Sequence, residues 1–318
     1  MIWQELLYLL LGIGMVWVAS GLVVNGVEKF SRDTRISTFA MSFLILGVLT
    51  SLTEISVGLN AVIDEKPSVF AGNLIGGSFV ILLLIVPLLA IFSGGVMLKH
   101  RLDQKRMLFF LIMVASPSLL ILDGVVSTVD AWIMLGLYIL FFNMFQGDNK
   151  ILEKLHHSEN HDRRVLGRDL AKILVGAVII FAAGKILVSR TIVLSDLLGA
   201  PPLLLSLLVL SIGTNIPELM IAVRAIRARH QEIAFGDYIG SAATNVLLFS
   251  ILTFMGGPFS LETSGFSPVF FIIICGYAVF FMFSRIKNRI SPAEGLGLIL
   301  IFLIFLFFQA AEIMSFAK

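Results

Sequence analysis

Long apolar blocks alternate with short polar segments along the whole of this 318-residue chain. Most blocks are close to the roughly 20 residues that a helix needs to cross a bilayer. Turn residues and charges between the blocks divide them into ten predicted spans, so the pattern predicts an all-α membrane protein with ten transmembrane helices. The predicted spans lie near residues 5–25, 37–62, 69–91, 107–123, 129–146, 170–190, 202–224, 233–256, 266–284 and 293–311.

Composition agrees with this class, since 58% of residues are hydrophobic, only 14% are charged and the mean hydropathy is +0.99. The only cysteine, Cys275, excludes a disulfide framework, and its place inside a predicted span suggests a small buried side chain. Lys185 and Gln309 lie near span ends, where a polar side chain is expected to reach water.

The basic residues fall mainly on one side of the predicted membrane. Loops after the odd-numbered spans hold 18 of the 23 Lys and Arg residues. By the positive-inside rule these loops are cytoplasmic, which places both termini on the extracellular or periplasmic side. Short loops, with no large regulatory insertion, favour the plasma membrane of a prokaryote.

A repeat organises the chain. Residues 45–81 align without a gap with residues 209–245, and polar or glycine identities fall inside apolar surroundings. This divides the chain into a first five-helix repeat at 1–146, a central cytoplasmic loop at 147–169 and a second five-helix repeat at 170–318. Because five spans is an odd number, the second repeat enters the membrane from the opposite side, as in the inverted repeats of transporters. The identical pairs are Leu46 and Leu210, Thr50 and Thr214, Glu54 and Glu218, Ala61 and Ala225, Gly72 and Gly236, Ile75 and Ile239, and Gly76 and Gly240.

Two glutamates are the candidate metal ligands. A carboxylate inside a membrane span costs several kcal/mol or more, so Glu54 and Glu218 are expected to face a wet cavity and to have a function. Thr50 and Thr214 each precede a glutamate by four residues and therefore share its helical face. Hydroxyl, carboxylate and backbone carbonyl oxygens suit sodium or calcium better than copper or zinc. Pro217 is expected to break the helix beside Glu218 and to free carbonyl groups.

The second part of each repeat carries paired glycines at 72–76 and 236–240, a spacing typical of close helix packing. Asn73 and Asp237 stand at equivalent positions beside them. Asp237 stays open between a ligand, a supporting residue and a packing residue. Polar side chains such as Ser241 and Asn245 are expected to complete an oxygen cage.

Both repeats resemble the calcium/cation antiporter superfamily, which contains the sodium/calcium exchangers. The resemblance rests on Gly-Thr-Asn-Ile-Pro-Glu at 213–218, on Gly-Asp-Tyr-Ile-Gly-Ser-Ala-Ala-Thr-Asn at 236–245, and on the related segment 47–78. It implies ten helices in two inverted fives, external termini, and exchange of Ca²⁺ for Na⁺ by alternating access. The resemblance implies that Glu54 and Glu218 are the cation ligands, with Thr50, Thr214 and Ser51 beside them and Ser241 and Asn245 at further polar positions. Asn215, which replaces a serine of the family pattern, is a further candidate cation-binding residue. Asn73, Asp237 and Ser78 are candidate supporting residues.

The first repeat departs from the family pattern, because Leu49 and Thr53 replace its glycine and proline, Gly77-Ser78 replaces its Ser-Asn, and Ile81 replaces a polar residue. Calcium coordination by two glutamates survives these changes better than several sodium sites do. The counter-ion therefore stays open between Na⁺, K⁺ and H⁺. No cofactor is implied, and the expected partners are the lipid bilayer and inorganic cations, not nucleic acid.

Three other interpretations compete with this one. The two glutamates could form a structural pair, although the flanking threonines and glycines repeat with them. The chain could be an intramembrane protease with paired carboxylates, but Ala234 occupies the first glycine position of the Gly-x-Gly-Asp signature, and there is no H-E-x-x-H motif. We therefore expect no catalytic residues. His156, His157 and His161 of the central loop could bind a metal, but a solvated linker explains them as well.

Overall fold

The computed structural model describes residues 2–33, 51–97, 103–146, 163–228, 231–263, 266–285 and 289–316, and these residues are mainly helical. Within them, seven helices are long and apolar enough to cross a membrane, and Leu52–Ile63 and Thr128–Met144 are shorter apolar helices. The chain is therefore a multi-pass membrane protein. The seven candidate spans are Ile2–Ala19, Pro67–Phe92, Leu174–Leu198, Pro202–Val223, Tyr238–Gly256, Phe266–Arg285 and Pro292–Phe316.

Within the described residues, helices occur where the apolar blocks predict them, although the predicted span 202–224 is divided into two helices. Residues 37–50 of the second predicted span lie outside the described residues. In the first half they are α1 (Ile2–Asp33), α2 (Leu52–Ile63), α3 (Pro67–Phe92), α4 (Gln104–Leu120) and α5 (Thr128–Gln146). In the second half they are α6 (Arg163–Leu198), α7 (202–214), α8 (Ile216–Ala228), α9 (Gln231–Gly256), α10 (Phe266–Arg285) and α11 (Pro292–Phe316). Helices α3 and α7 each contain one π-helical turn, Ile81–Ile85 and Ser206–Leu210.

Two short antiparallel strand pairs join the halves. Strand β1 (Val96–Met97) pairs with β4 (Arg289–Ile290), and β2 (Val125–Val126) pairs with β3 (Phe259–Ser260). Strand β1 precedes α4 and β2 follows it, so the pairs lie at opposite ends of that helix. Each pair thus fixes a loop of one half against a loop of the other.

Element starts recur at the same interval as the sequence repeat. Helices that begin at positions 52, 67 and 128 have counterparts that begin at positions 216, 231 and 292, which is the interval that separates Glu54 from Glu218. The strand at 125–126 has its counterpart at 289–290, again at this interval. The interval that separates the seven identical pairs therefore also separates equivalent helices and strands of the two halves.

Helix α3 lies at the centre of the molecule. It contacts α2 of its own half and α7 and α9 of the other, and nearly all its side chains are buried. Helices α1 and α6, which pack against each other, and α11 instead expose large apolar side chains such as Trp3, Val178 and Phe307. Apolar surface of this kind is stable when it faces the apolar tails of lipids and not water.

Glycines allow the close contact between α3 and α7. A Cβ at Gly72 would collide with the Leu203 carbonyl oxygen and Ser206 Oγ, and one at Gly76 would lie 2.5 Å from the Leu207 carbonyl oxygen. The predicted packing role of this glycine pair therefore agrees with the structure. The contact sets the α3 backbone directly against the π-helical turn of α7.

Two expectations about side chains are wrong. Cys275 is exposed, because it lies on the outward face of α10 and not on the face that packs against the other helices. Gln309 is fully buried, and its Nε2 donates to the Leu204 carbonyl oxygen at 2.8 Å. An internal acceptor on α7 replaces the water that we expected for this side chain. Lys185 is half exposed, as expected, and also pairs with Asp64.

Candidate cation-binding site

Glu54 and Glu218 lie in the first turns of α2 and α8. Both side chains are buried, with exposed fractions of 1% and 0%. The N-terminal end of a helix carries a partial positive charge that stabilises a nearby carboxylate. Two short helices that each begin just before a glutamate therefore provide part of the charge compensation these residues need.

The residues that precede the two helices are also equivalent. The Ser51 carbonyl accepts from the Ile55 amide at 2.9 Å, and the Asn215 carbonyl accepts from the Leu219 amide at 3.1 Å. Asn215 separates α7 from α8, so the break comes two residues before Pro217, which then lies in the first turn of α8. The helix break predicted near Pro217 is present, since proline is tolerated in a first turn but not in a helix interior.

Each carboxylate accepts a hydrogen bond from a buried hydroxyl group. Ser241 Oγ of α9 donates to Glu218 Oε1 at 2.9 Å, and Thr53 Oγ1 of α2 donates to Glu54 Oε2 at 2.6 Å. The two glutamates lie close enough for their negative charges to repel each other when both are ionised. Hydrogen bonds to a charged acceptor are stronger than those between neutral groups, so both carboxylates are held in defined orientations.

Hydrogen bonds also join the halves around the glutamates. Thr53 Oγ1 lies 2.8 Å from the Thr214 carbonyl oxygen, and Thr214 Oγ1 donates to Asn73 Oδ1 at 3.0 Å. Asn245 Nδ2 donates to Ser78 Oγ at 3.2 Å. Side chains from both repeats thus form one buried polar cluster.

Several oxygen atoms of this cluster have no hydrogen-bond donor among the described residues. They are Glu54 Oε1, Asn215 Oδ1 and Asn245 Oδ1. A buried acceptor without a donor costs about 1–3 kcal/mol, more when it is charged. These atoms are hard ligands, and a bound cation would satisfy them.

Gly77 leaves room for two of these amides. A Cβ at this position would lie 3.0 Å from Asn215 Nδ2 and 3.2 Å from Asn245 Nδ2. Gly77 is the repeat counterpart of Ser241, and Ile81, which is fully buried, is the counterpart of Asn245. At these two positions the second half supplies polar side chains and the first half does not.

Most of the predicted residues lie in or beside this cluster. Glu54 is linked through Thr53 to Thr214 and Asn73, Glu218 is paired with Ser241, and Asn245 is paired with Ser78. Asn215 lies beside Asn245 at Gly77, and Ser51 is buried directly before α2. Thr50 and the side chain of Asp237 lie outside the described residues. The described residues contain no group of three or more His, Cys, Asp or Glu side chains, so any metal there would need neutral oxygens beside the two glutamates.

Sequence reasoning missed one member of the cluster, Thr53, because it was considered only as a replacement for a proline. The sequence did contain a signal for this role, because a residue with a hydroxyl group directly precedes Glu54 in the repeat that lacks a serine at 77.

A comparison with protein families finds one that matches most of the chain. The sequence model of the family described as sodium/calcium exchanger protein matches residues 5–145 and 169–311. The chain belongs to this family.

Known proteins and solved structures resemble the chain over nearly its whole length. The sodium/calcium exchanger MaX1 of Methanosarcina acetivorans is 22% identical, over 96% of this chain and 98% of its own. The inner membrane protein YrbG of Escherichia coli is 25% identical, over 91% and 92%. A structure of the sodium-calcium exchanger NCX_Mj soaked with 100 mM Na⁺ and 10 mM Sr²⁺ has a TM-score of 0.66 at 21% identity, over 96% and 98%. The exchanger fold is therefore shared.

Proposed function

We propose that the chain is a secondary active antiporter that exchanges Ca²⁺ for Na⁺ across the membrane by alternating access. The observation that carries this proposal is the pair of buried glutamates, one from each half, in a single cluster of oxygen ligands. Membership of an exchanger family supports the same class and argues against a protease on independent grounds. The proposed cation-binding residues are Glu54, Glu218, Thr50, Thr214, Ser51, Asn215, Ser241 and Asn245, with Asn73, Asp237 and Ser78 supporting them.

The proposed architecture is ten transmembrane helices in two inverted five-helix repeats, at 1–146 and 170–318. The helix and strand starts that recur at the interval of the sequence repeat support it. So do the strand pairs at both ends of α4, which link each half to the other. The basic loops are cytoplasmic in this arrangement, and both termini lie outside a plasma membrane.

The mechanism follows from burial of the two charges. Two uncompensated carboxylates are costly to enclose, so an empty site resists closure. A bound Ca²⁺ neutralises them and favours a closed state, as Na⁺ ions on the return step would. Glu54 and Glu218 are closed off from the surface in this structure, so either membrane face can reach them only after helices move. Closure that depends on occupancy gives exchange and not leak.

A Ca²⁺/H⁺ antiporter is the second candidate. The observation that favours it is the loss of side-chain oxygens at Gly77 and Ile81, which removes ligands for Na⁺ from the first half. A proton on Glu54 or Glu218 would balance charge without those ligands. Among the relatives is a protein named putative antiporter CaxA, from Alkalimonas amylolytica, at 21% identity over 76% of this chain.

The test is ⁴⁵Ca²⁺ uptake into proteoliposomes that contain the purified protein. Outward gradients of Na⁺, K⁺ and H⁺ are imposed in turn, and the Na⁺ gradient should drive the fastest uptake. Glu54→Gln and Glu218→Gln should each abolish uptake, because one negative charge and one ligand are lost. Glu262→Gln, at an exposed position, is the matched control and should keep full activity. Uptake that persists in either site variant, or that needs no counter-cation, would contradict the proposal.

A further inference from the structure

The two glutamates receive their hydrogen bonds from different places in the repeat. Glu218 is held by Ser241, which comes from the neighbouring helix α9. The counterpart of Ser241 in the first half is Gly77, which has no side chain to donate. Glu54 is held instead by Thr53, its neighbour on α2, whose repeat counterpart is Pro217. The first half thus lacks a hydroxyl group at position 77 but carries one at position 53, where the second half has a proline.

We propose that Thr53 is the residue that positions Glu54 for cation binding in this chain, in place of the missing serine at 77. This inference rests on the proposed function. Thr53 donates to Oε2 of Glu54 and leaves Oε1, which has no donor among the described residues, available as a ligand. A carboxylate with one oxygen fixed loses less rotational freedom when the other binds an ion, which favours binding.

The surroundings of Thr53 suit this role. Its side chain is 1% exposed, and Oγ1 also lies 2.8 Å from the carbonyl oxygen of Thr214 in the other half. A hydroxyl has a single hydrogen to donate, and a carboxylate is a stronger acceptor than a carbonyl group. The two acceptors share this one hydrogen, and an ionised Glu54 is the stronger of the two.

The hydrogen bond between Thr53 and Glu54 lies within one helix, so it should respond differently to the movements of transport than the bond between Ser241 and Glu218. Ser241 and Glu218 belong to different helices, so a movement that separates α8 from α9 breaks their hydrogen bond. Thr53 and Glu54 are consecutive on α2 and move together. Glu54 thus keeps its orientation when the halves move, whereas the orientation of Glu218 depends on the contact between α8 and α9.

The experiment compares Thr53→Val, Thr53→Ala and Thr53→Ser by equilibrium ⁴⁵Ca²⁺ binding to the purified full-length protein, together with the thermal unfolding midpoint. The valine and alanine variants should weaken binding about tenfold, since each loses a hydrogen bond to a charged group. Thr53→Ser keeps the hydroxyl and should bind within about threefold of the unsubstituted protein. Two variants without the hydroxyl group are used, so that one can be measured if the other does not fold. In the transport assay, the same loss should raise KM for Ca²⁺ more than it lowers kcat.

Two results would overturn the inference while leaving the proposed function intact. One is Ca²⁺ binding by folded Thr53→Val or Thr53→Ala that equals that of the unsubstituted protein. The other is equally weak binding by Thr53→Ser and Thr53→Val, which would make the methyl group and not the hydroxyl the important part. If the unsubstituted protein shows no saturable Ca²⁺ binding, the proposed function itself fails, and the role of Thr53 fails with it.

Discussion

Individual polar residues in this chain are interpretable because their surroundings are so apolar. A buried hydroxyl or amide in a membrane span is costly unless it is paired, so each such residue requires a partner or a ligand. Ser241 and Glu218 satisfy this requirement with each other. Asn215 and Asn245 do so only in part, because each leaves a carbonyl oxygen without a donor among the described residues. Two such oxygens lie within the same cluster as the buried glutamates, where a cation would satisfy them.

Removal of the Ser241 hydroxyl should weaken cation binding. Ser241→Ala takes away the donor that orients Glu218, and a hydrogen bond to a charged group accounts for about tenfold in the dissociation constant. Equilibrium ⁴⁵Ca²⁺ binding to the purified protein measures the effect. Ser250→Ala is the control on the same helix, since Ser250 donates to the Ala131 carbonyl oxygen away from the site and its loss should leave affinity unchanged. Equal affinity in both variants would argue against a role for Ser241.

The sequence predicted most polar residues of the cluster, and most directly the two glutamates. Glu54 and Glu218 were found because a charge in an apolar span is conspicuous and occurs twice. Thr53 was missed although its acceptor Glu54 is its neighbour, because it was considered only as a replacement for a proline. Gln309, outside the site, was misjudged because its partner Leu204 lies far away in sequence. A local sequence pattern predicts that a residue lies in a helix and on which face of it. The pattern does not predict which other helix packs against that face. Contacts between the halves could therefore not be read from either half alone.

At the level of elements, the chain uses glycine where two helices must touch at their backbones. Helix α3 presents Gly72 and Gly76 to α7, and the π-helical turn of α7 lies at that contact. Such turns occur often at functional sites, where they re-aim the side chains that follow. Here the turn is followed by the segment 211–214, the helix break and Glu218.

A methyl group at the glycine contact should destabilise the protein. In Gly76→Ala the new Cβ would lie 2.5 Å from the Leu207 carbonyl oxygen and 2.7 Å from Ser211 Cβ, and overpacking of this kind typically costs about 1–3 kcal/mol. The thermal unfolding midpoint in detergent should therefore fall. Gly136→Ala is the control, because no atom lies within 4 Å of the added Cβ and alanine favours a helix. A midpoint for Gly76→Ala equal to that of the control would show that α3 and α7 can separate freely.

For the whole molecule, the main question is how the two halves are oriented across the bilayer. In the proposed ten-span arrangement α4 crosses the bilayer, so the loops joined by β1 and β4 lie on one side and the loops joined by β2 and β3 on the other. The charge distribution predicts this grouping too, since the loop that contains Lys105 is basic and the loop that contains Glu262 is not. The helix positions were predictable from hydropathy, whereas this pairing of loops between halves was not.

The inverted arrangement can be tested by chemical labelling in intact cells. Cys275 is exposed and is first replaced by serine, so that the background contains no thiol. Glu262→Cys and Lys105→Cys, both at exposed positions, are then introduced one at a time. A membrane-impermeant maleimide should label residue 262 in intact cells, and residue 105 only after the membrane is permeabilised, because basic loops stay in the cytoplasm. The reverse pattern would invert the whole topology. Labelling of both positions from outside would contradict the proposed placement of the strand pairs on opposite faces, and with it the ten-span inverted repeat.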